Sequence, residues 1–377
     1  FLGKGAAGAA GAAALGTAGC SGGEGPAAAG AGTVQGPRVS WRLATSFPQS
    51  LDIIHGAGSQ VAEIVEELTG GRFTIRVYAA GEIVPALQVM DAVQQGTVQC
   101  GLSAGYYYIG KSPALAFDAS VPFGLGTRQQ ISWLYHGGGL DALNDVYGEF
   151  GLLTFPAVST GCQMGGWFRE PVESLADLRG IRMRIPGIGG EIMARLGVTV
   201  QTLAGGDIYP ALERGAIDAT EWIGPYDDEK LGFHAIAENY YYPGWWEPGL
   251  TGSLMVSREA WDALPEAYRS VLRTACAQTL SQRLARYDHA NPLALRRLVE
   301  DHGVVLREYS DEILQAAYRE SRAYLEEQAA ADGAFRTVYE SWEAYRQAAY
   351  PYFAGTELSF ARFAYPRVGG PGSGTTA

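Results

Sequence analysis

The sequence predicts an α/β protein of two similarly built lobes, followed by extended C-terminal helices. Strand-like alternation gives way to helical spacing and then to a strand again, at residues 39–45, 57–68 and 73–78. A helix–glycine–strand pattern occurs twice, at 91–99 and at 210–218. Strands that alternate with helices favour a mainly parallel sheet with helices on both faces. The repeated pattern indicates that the second half of the chain is built like the first.

Composition limits the class of protein. The chain has 377 residues, of which 47% are hydrophobic and 18% charged, so it can bury a sizeable core and is not disordered throughout. Lys and Arg number 28 against 40 Asp and Glu, which gives a net charge of -12. No basic block occurs, and we therefore expect no nucleic-acid partner.

Residues 1–37 are rich in Gly and Ala and are predicted to be an export signal and a disordered linker. The apolar part, 6–18, is shorter than the about 20 residues that cross a bilayer as a helix. Phe1-Leu-Gly-Lys4 resembles the end of a twin-arginine signal, and Thr17-Ala-Gly-Cys20 resembles a lipobox in which Cys20 carries lipid. A plain low-complexity leader is the alternative.

The first lobe is predicted for residues 38–155, with the chain crossing back into it later. Residues 39–45 alternate as a strand does, and apolar residues from Ala57 to Leu68 recur at helical spacing. The glycines at 70 and 71 end that helix, because glycine readily takes the left-handed conformation of a helix C-terminus.

The second lobe is predicted for residues 156–260. Its strand at 181–185 places Arg182 and Arg184 on the same face. Both arginines lie in solvent on one interpretation. On the other, one of them reaches a cleft between the lobes, where a guanidinium binds a carboxylate through two parallel hydrogen bonds.

Carboxylates and aromatic residues cluster between Glu221 and Glu247. Taken singly, the acids at 227–229 are predicted to be solvated surface charges. Glu221 is different because it ends the strand-like segment 216–221, and ligands of open α/β sheets bind beyond the carboxyl ends of strands. A hard cation there would take carboxylate, amide and carbonyl oxygens as ligands.

Residues 261–366 are predicted to form helices that brace the lobes and contact a second subunit. Helical sequence runs from Pro265 to about His302, and again from Asp311 to a break at Tyr350-Pro351. An aromatic stripe in the second run packs either on the chain's own body or on another subunit. Its members are Phe335, Val338, Tyr339, Trp342, Tyr345 and Ala349. Residues 367–377 are predicted to be a disordered tail.

Two motifs leave an exported enzyme as the alternative class. Gly101-Leu-Ser103-Ala-Gly105 has the spacing of a serine nucleophile elbow, although the residues after it form a poor helix. Gly187-x-Gly189 resembles a dinucleotide fingerprint, but Ile192 occupies the place of its third glycine. A metal-dependent lyase that uses Glu221 is the other form of this alternative.

The remaining cysteines predict no metal or redox motif, because no C-x-x-C pair occurs. We interpret Cys100, Cys162 and Cys276 as small buried hydrophobic residues. One disulfide among them stays open at this point.

Four segments resemble the substrate-binding subunits of TRAP (tripartite ATP-independent periplasmic) transporters of the DctP type. They are GCQMGGWF at 161–168, LRGIRMRIPG at 178–187, AIDATEW at 216–222 and YYYPGWWEPG at 240–249. The resemblance covers residues 39–365 and is closest to the TakP-like branch, which binds 2-oxo acids, and to the related lactate binder. It implies a periplasmic protein that is not an enzyme, with a two-lobed periplasmic-binding-protein fold and a hinge.

The resemblance also implies a ligand site between the lobes for a small 2-oxo or 2-hydroxy monocarboxylate. Arg184 would hold the carboxylate of this acid. Gln163, Glu221 and the backbone carbonyl of Trp222 would coordinate a sodium or calcium ion that bridges to the acid's carboxylate and to its 2-oxo or 2-hydroxy oxygen.

Further roles follow from the same resemblance. Tyr107, with Tyr106 beside it, would hydrogen-bond the ligand from the first lobe, and Glu247 would lie near the same site. The implied partners are the small and large TRAP membrane subunits and a second copy of the chain, which in this branch exchanges a C-terminal helix. A scaffold or sensor subunit without a small-molecule ligand is a third possibility.

Overall fold

The computed structural model of the chain describes residues 33–367. Most of the predicted export signal, the Cys20 lipobox and the tail from residue 368 onward lie outside this range. Within it the strands are β1 (Val39–Thr45), β2 (Phe73–Tyr78), β3 (Cys100–Ser103), β4 (Leu152–Gly161), β5 (Trp167–Phe168), β6 (Arg182–Arg184), β7 (Thr199–Gln201), β8 (Ala219–Thr220), β9 (Asn239–Tyr242), β10 (Leu250–Ser257) and β11 (Val305–Glu308).

The same range holds both long and single-turn helices. The α-helices are α1 (His55–Leu68), α2 (Val89–Gln94), α3 (Ala116–Ala119), α4 (Thr127–His136), α5 (Gly139–Gly148), α6 (Leu175–Leu178), α7 (Gly187–Arg195), α8 (Gly205–Glu213), α9 (Pro225–Leu231), α10 (Arg258–Asp262), α11 (Glu266–Glu300), α12 (Asp311–Ala331), α13 (Gly333–Phe353) and α14 (Ser359–Ala364). A 3₁₀ turn at Gly105–Tyr108 follows β3, and a π-helical turn at Ala354–Leu358 joins α13 to α14.

The strands form two sheets, in the orders β2-β1-β3-β10-β4 and β11-β9-β5-β8-β6-β7. We call the first sheet, with the helices packed on it, lobe 1, and the second sheet, with its helices, lobe 2. β1 is parallel to β2 and β3, but β10 runs antiparallel between β3 and β4. In lobe 2, β5 is antiparallel to β8 and β9. The predicted α/β fold is confirmed, but both sheets are mixed, because β5 and β10, which follow the first two crossings between the lobes, run antiparallel to the strands beside them.

The chain crosses between the two sheets three times: after β4, before β10, and through α11, which leads from β10 to β11. It stays in the lobe 1 sheet through Gly161 at the end of β4, beyond the predicted boundary at 155, and returns to that sheet at Leu250. Gln163 follows the first crossing point directly, and Glu247 precedes the second. The fold therefore brings two of the predicted site residues to the junction of the lobes.

The repeated helix–glycine–strand pattern forms the same turn in both lobes. Gly96 and Gly215 have φ angles of 71° and 67°. In each turn, the amide nitrogen after the glycine donates to a helix carbonyl at 2.9 Å, that of Ala92 in lobe 1 and of Ala211 in lobe 2. Glycine takes this left-handed backbone without the steric cost that a Cβ brings.

Helix α11, with 35 residues, packs on both lobes. It lies against β4 and α1 of lobe 1 and against α9 of lobe 2. Arg283 donates to the carbonyl of Gly56 at 2.8 Å, and Arg297 pairs with Glu229 of α9. The predicted helical run to about His302 is present and ties the lobes together.

The aromatic stripe packs on the chain's own body. Phe335 and Trp342 are at most 1% exposed and meet the ring of Phe117 edge to face, at centroid distances of 5.1 and 5.6 Å. Of the two alternatives, the structure shows packing on the chain's own body, and a contact of the C-terminal helices with a second subunit stays a prediction.

The predicted helix break at Pro351 is wrong. Helix α13 continues through it to Phe353, and the break comes earlier, at Asp332, whose carboxylate accepts from the amide of Phe335 at 2.9 Å. The Tyr350 hydroxyl lies 2.6 Å from the carbonyl oxygen of Gly124. Pro351 has no N–H group and so removes one hydrogen bond from this turn of α13. The contact of Tyr350 with lobe 1 holds the same turn in place.

Cys100, Cys162 and Cys276 are free thiols, so the disulfide left open by the sequence is absent among these three. Cys100 and Cys276 are buried as predicted. Cys162 is exposed, because it lies in the turn where the chain leaves lobe 1. Between residues 33 and 367, no helix combines the length and the apolar character required to traverse a bilayer.

Candidate functional site

The predicted site residues come together where the ends of strands from both lobes meet. Lobe 1 supplies Tyr106 and Tyr107, on the turn directly after β3. The other members are Arg184 at the end of β6, Glu221 and Trp222 after β8, and Gln163 and Glu247 in the crossing segments. All are buried except Tyr107, which is half-buried.

The side chain of Arg184 is only 1% exposed, and each of its three nitrogens has a hydrogen-bond partner. Its Nε donates to the carbonyl of Leu203 at 3.1 Å, and its Nη1 pairs with the Glu221 carboxylate. Its Nη2 lies 3.4 Å from the Tyr107 hydroxyl of lobe 1, and the guanidinium stacks over the Trp222 ring at 5.1 Å. A buried charge needs such partners, so this network fixes the cationic group at the junction of the lobes.

Of the two arginines on β6, only Arg184 enters the site. Arg182 is exposed and forms two hydrogen bonds to the Asp218 carboxylate, at 2.9 and 2.6 Å. The two arginines share a face of β6, but Arg182 is paired at the surface, whereas Arg184, at the carboxyl end of the strand, is buried at the junction of the lobes.

Three buried oxygens of the site have no hydrogen-bond donor: Gln163 Oε1, Glu221 Oε2 and Glu247 Oε2. Gln163 donates through Nε2 to the hydroxyl of Thr160 at 3.1 Å, which leaves its amide oxygen unpartnered. A buried acceptor without a donor costs about 1–3 kcal/mol. Folded proteins leave few such atoms, and three of them in one site are acceptors suited to an electropositive partner.

The donor set fits a hard cation such as sodium or calcium, which prefers carboxylate and amide oxygens. Among residues 33–367, no group of three His, Cys, Asp or Glu side chains is placed to hold a metal. Coordination here would therefore depend on the Gln163 amide together with carboxylate oxygens. The predicted contribution of the Trp222 backbone carbonyl stays a prediction.

Burial dominates the electrostatics of the two glutamates. It raises the pKa of Glu221 to about 7, against the opposing charge of Arg184. Burial, together with the neighbouring Glu221 charge, raises the pKa of Glu247 well above its ordinary value. A nearby positive charge would stabilise both anions. Burial also raises the pKa of Tyr107 to about 12, so its hydroxyl stays protonated and able to donate.

A small apolar cavity beside Tyr107 and Trp222 has about 10 Å³ of free space, about enough for one water molecule. Phe47 and Ile54 line it from lobe 1, and Ile223 lines it from lobe 2. The lobes are therefore closed over the site. Sequence reasoning missed these walls, because they lie in loops whose positions no periodic pattern reveals.

The prediction of solvated surface charges at 227–229 is wrong for Asp227 and Asp228. Asp228 accepts from Trp167 Nε1 at 2.9 Å and from the Tyr240 hydroxyl at 2.7 Å, and Asp227 accepts from the Tyr287 hydroxyl at 2.7 Å. Burial raises the pKa of Asp227 to about 7 and that of Asp228 to about 6. The signal in the sequence was the Gly-Pro pair before these acids, which is typical of a helix start, where carboxylates accept backbone N–H groups.

Neither enzyme motif forms the site that it would need. Ser103 is buried and bonds the hydroxyls of Ser46 and Tyr108 at 2.6 and 2.9 Å, with no histidine among its hydrogen-bond partners. A Cβ at Gly189 would lie 2.8 Å from the Cβ of Trp246. Gly189 is therefore required for the close packing of Trp246 on α7. This packing accounts for the glycine without a bound dinucleotide.

Three comparisons identify the family. Residues 44–332 match the bacterial extracellular solute-binding protein family 7, DctP. The chain is 54% identical over 328 residues to the monocarboxylate 2-oxoacid-binding periplasmic protein of Nostoc, covering 87% of this chain and 90% of the relative.

Two solved structures are similar in fold and sequence. A TRAP solute-binding protein from Bordetella bronchiseptica, a mixed-occupancy dimer with calcium and picolinate, has a TM-score of 0.87 and 42% identity, covering 88% of this chain and 99% of that one. One from Pseudoalteromonas atlantica, with sodium and pyruvate, has a TM-score of 0.84 and 34% identity, covering 86% and 99%. The chain therefore belongs to the DctP family of extracellular solute-binding proteins, which are two-lobed receptors of TRAP transporters and not enzymes.

Proposed function

We propose that this chain binds a small 2-oxo or 2-hydroxy monocarboxylate together with a sodium or calcium ion. The acid would lie between the lobes predicted for residues 38–155 and 156–260, braced by the helices of 261–366. The observation that carries the proposal is the buried Arg184 guanidinium beside the unpartnered oxygens of Gln163, Glu221 and Glu247. The same site thus offers a guanidinium that can bind the carboxylate of the acid and oxygens that can coordinate a metal ion.

Arg184 and Glu221 would exchange partners on binding. Without a ligand each neutralises the other. With the ligand, the guanidinium would hold the acid's carboxylate through charge-assisted hydrogen bonds. The bound cation supplies the positive charge that Glu221 then lacks. Both buried charges keep a partner in either state, which avoids the cost of an unpaired buried ion.

Tyr107 and Tyr106 would contribute from lobe 1. The Tyr107 hydroxyl already lies 3.4 Å from Arg184, where it can donate to the same carboxylate. Tyr106 bonds the Glu247 carboxyl, and it thereby positions this group beside the other oxygens. These contacts join lobe 1 to a site that is otherwise built from lobe 2 and the crossing segments, so ligand binding would favour closure.

The apolar cavity wall explains why a monocarboxylate is proposed. Phe47, Ile54 and Ile223 offer no partner to a second carboxylate, and a buried unpaired carboxylate is strongly unfavourable. A methyl or short alkyl group would fit against this wall. The Nostoc relative, which binds monocarboxylate 2-oxoacids, supports the same ligand class.

The test is calorimetric titration of refolded, dialysed protein with pyruvate and with a longer 2-oxo acid. Refolding removes ligand carried through purification. Titrations in sodium buffer, in choline buffer, and in choline buffer with calcium separate the contribution of each cation. We expect saturable binding that requires sodium or calcium. Folded protein that gives no heat with any acid would refute the ligand assignment.

Arg184→Ala and Arg182→Ala form a matched pair, because both residues lie on β6. Loss of a buried, hydrogen-bonded charge pair costs about 2–5 kcal/mol, or about thirtyfold to several thousandfold in affinity. We expect that loss for Arg184→Ala and an affinity within about twofold of wild type for Arg182→Ala, because Arg182 pairs at the surface. Equal affinities for the two variants would remove Arg184 from the site.

We further propose periplasmic export by the twin-arginine route and lipid attachment at Cys20, as the sequence motifs indicate. The family and the periplasmic Nostoc relative support the location. Mass spectrometry of the membrane fraction should find a lipid on Cys20, and Cys20→Ala should release the protein. Export that persists in cells without the twin-arginine translocase would contradict the route.

The receptor would deliver its ligand to the small and large TRAP membrane subunits and would form a homodimer. Since the stripe of α13 is buried, we place the dimer contact further along, where Tyr352, Phe360 and Tyr365 are each at least 65% exposed. Such apolar exposure marks interaction surfaces, and the Bordetella relative is a dimer. Light scattering should show that Phe360→Glu yields monomers, whereas Ile83→Glu, at an exposed apolar residue of lobe 1, leaves the dimer intact.

A further inference from the structure

Helix α9 holds together three parts of the molecule. Asp228 accepts the amides of Ile223 and Gly224, both at 3.2 Å, and so ties the helix to the cavity wall. Asp227 accepts from Tyr287 of α11 at 2.7 Å, and Glu229 pairs with Arg297 of the same helix. The acids of α9 therefore fix its position against the ligand cavity on one side and against α11 on the other.

The two remaining polar side chains of α9 reach across to lobe 1. The Tyr226 hydroxyl lies 3.1 Å from Asp52 Oδ1, and the Lys230 ammonium pairs with the same carboxylate. Lys230 also lies 4.2 Å from the centre of the Tyr226 ring. Arg286 of α11 pairs with the other carboxylate oxygen of Asp52. Asp52 thus receives two contacts from lobe 2 and one from the helix that spans both lobes.

Asp52 belongs to a segment that also forms the cavity wall. It lies between Phe47 and Ile54, which face the cavity from lobe 1. The main chain carbonyl of Asp52 accepts from Arg283 at 3.1 Å, which holds the segment on α11. Opposite it, α9 begins directly after Ile223 of the lobe 2 wall. The charged contact therefore joins the two segments that close on the ligand, without touching the ligand site itself.

We propose that Asp52 of lobe 1, with Lys230 and Tyr226 of lobe 2, forms a latch that sets the rate at which the closed protein releases its ligand. The inference rests on the proposed function, because it takes the closed form to be the ligand-holding state. Release requires the lobes to separate, and the contacts of Asp52 with α9 must then break. Because the latch exists only in the closed form, its loss destabilises that form and so acts chiefly on the rate of ligand release.

The expected effect is moderate because the latch is partly exposed. The side chains of Lys230 and Asp52 are 30% and 38% exposed, so water screens the pair. Networks of this kind contribute more than isolated surface pairs but less than buried ones. Loss of the latch should therefore speed ligand release by about threefold to tenfold.

The test measures release of radiolabelled pyruvate into excess unlabelled pyruvate at saturating calcium. We expect Asp52→Asn and Lys230→Met each to speed release, and the double variant to release no faster than the faster single one. Such non-additivity is the signature of residues that act as a unit. Release at the wild-type rate from both single variants would overturn the proposal.

Asp91→Asn is the matched control. Asp91 pairs with Lys111 at 2.6 Å, with side chains 35% and 30% exposed, but both residues lie in lobe 1. We expect the wild-type release rate from this variant, and equal acceleration in Asp91→Asn and Asp52→Asn would overturn the latch as an interlobe device.

A separate readout distinguishes failure of the latch from failure of the proposed function. If the wild-type protein binds no 2-oxo acid, the proposed function fails, and X-ray scattering of the ligand-free protein tests the latch alone. A larger radius of gyration for Asp52→Asn than for Asp91→Asn would support a contact that holds the lobes together. Equal radii would overturn it.

Discussion

Two buried acidic regions of this molecule differ in how their oxygens are satisfied. In lobe 1, Asp118 accepts from the hydroxyls of Tyr147, Ser253 and Thr154 at 2.7, 2.8 and 3.3 Å, and both of its oxygens are used. Between the lobes, Glu221 and Glu247 each keep one oxygen without a donor. Both regions are buried, so burial alone does not distinguish a structural acid from a functional one.

The difference lies in what completes each region. Asp118 is complete within the chain, so its three donors explain why it persists in the core. The glutamates of the site are incomplete within the chain, and a ligand that brings positive charge would complete them. Single unpartnered oxygens occur elsewhere, as at Asp227, so the feature that marks the site is the group of three such oxygens at the junction of the lobes that holds Arg184.

The largest expected difference between the regions is in ligand affinity. Glu221→Gln should weaken binding of pyruvate by about thirtyfold or more, since losing a buried charged ligand of a cation costs about 2–5 kcal/mol. Asp118→Asn should leave the affinity within about twofold of wild type, because Asp118 packs beside the turn at Gly105 but its side chain bonds no residue of the site. Calorimetric titration in sodium or calcium checks both, and comparable weakening by the two substitutions would contradict the distinction.

The next expected effect is a pH dependence of stability that belongs to Asp118. Burial raises its pKa from 3.8 to about 6, so the folded chain holds this proton more tightly than the unfolded chain does. Its contribution to stability is therefore present below about pH 4 and is lost as the pH rises through about 6. Between these values we expect wild type to lose roughly 2–3 kcal/mol of unfolding free energy relative to Asp118→Asn.

Urea unfolding at a series of pH values measures this difference. Asp118→Asn serves as the reference, because its side chain does not titrate while all other groups are kept. A constant difference between the two proteins across this range would show that Asp118 is ionised throughout.

The smallest expected effect is that of Glu247→Gln, which should change stability and cation binding in opposite directions. Its carboxylate is buried beside Glu221, so Glu247→Gln should raise the unfolding free energy of the ligand-free protein by about 1 kcal/mol. The same change should weaken cation binding. Thermal unfolding with and without calcium and pyruvate checks both, and a variant that loses stability without ligand would contradict this interpretation of Glu247.

Local patterns predicted the elements of the fold better than they predicted its buried charges. The glycine turns at 96 and 215 follow from local backbone preference and are present. Helix α13 passes through Pro351, because tertiary contact at Tyr350 overrides the local signal. The burial of Asp227 and Asp228 depends on partners that are distant in the chain, such as Tyr287 and Tyr240, and no local pattern reveals these partners.

The site shows the same limit. Alternation placed Arg182 and Arg184 on one face and could not rank them, and the TRAP resemblance selected Arg184. The structure buries that residue and leaves Arg182 paired at the surface. What distinguishes them is their position relative to the other lobe, which only the tertiary fold defines. The walls at Phe47 and Ile223 were not predictable for the same reason.

The most direct test is a crystal structure with calcium and pyruvate, in which anomalous scattering locates the cation. The account predicts one peak at about 2.3–2.6 Å from Gln163 Oε1 and Glu221 Oε2, the range of calcium–oxygen bonds. It also predicts the pyruvate carboxylate on the Arg184 guanidinium. Pyruvate bound with no cation peak, and with Glu221 still paired to Arg184, would contradict the account.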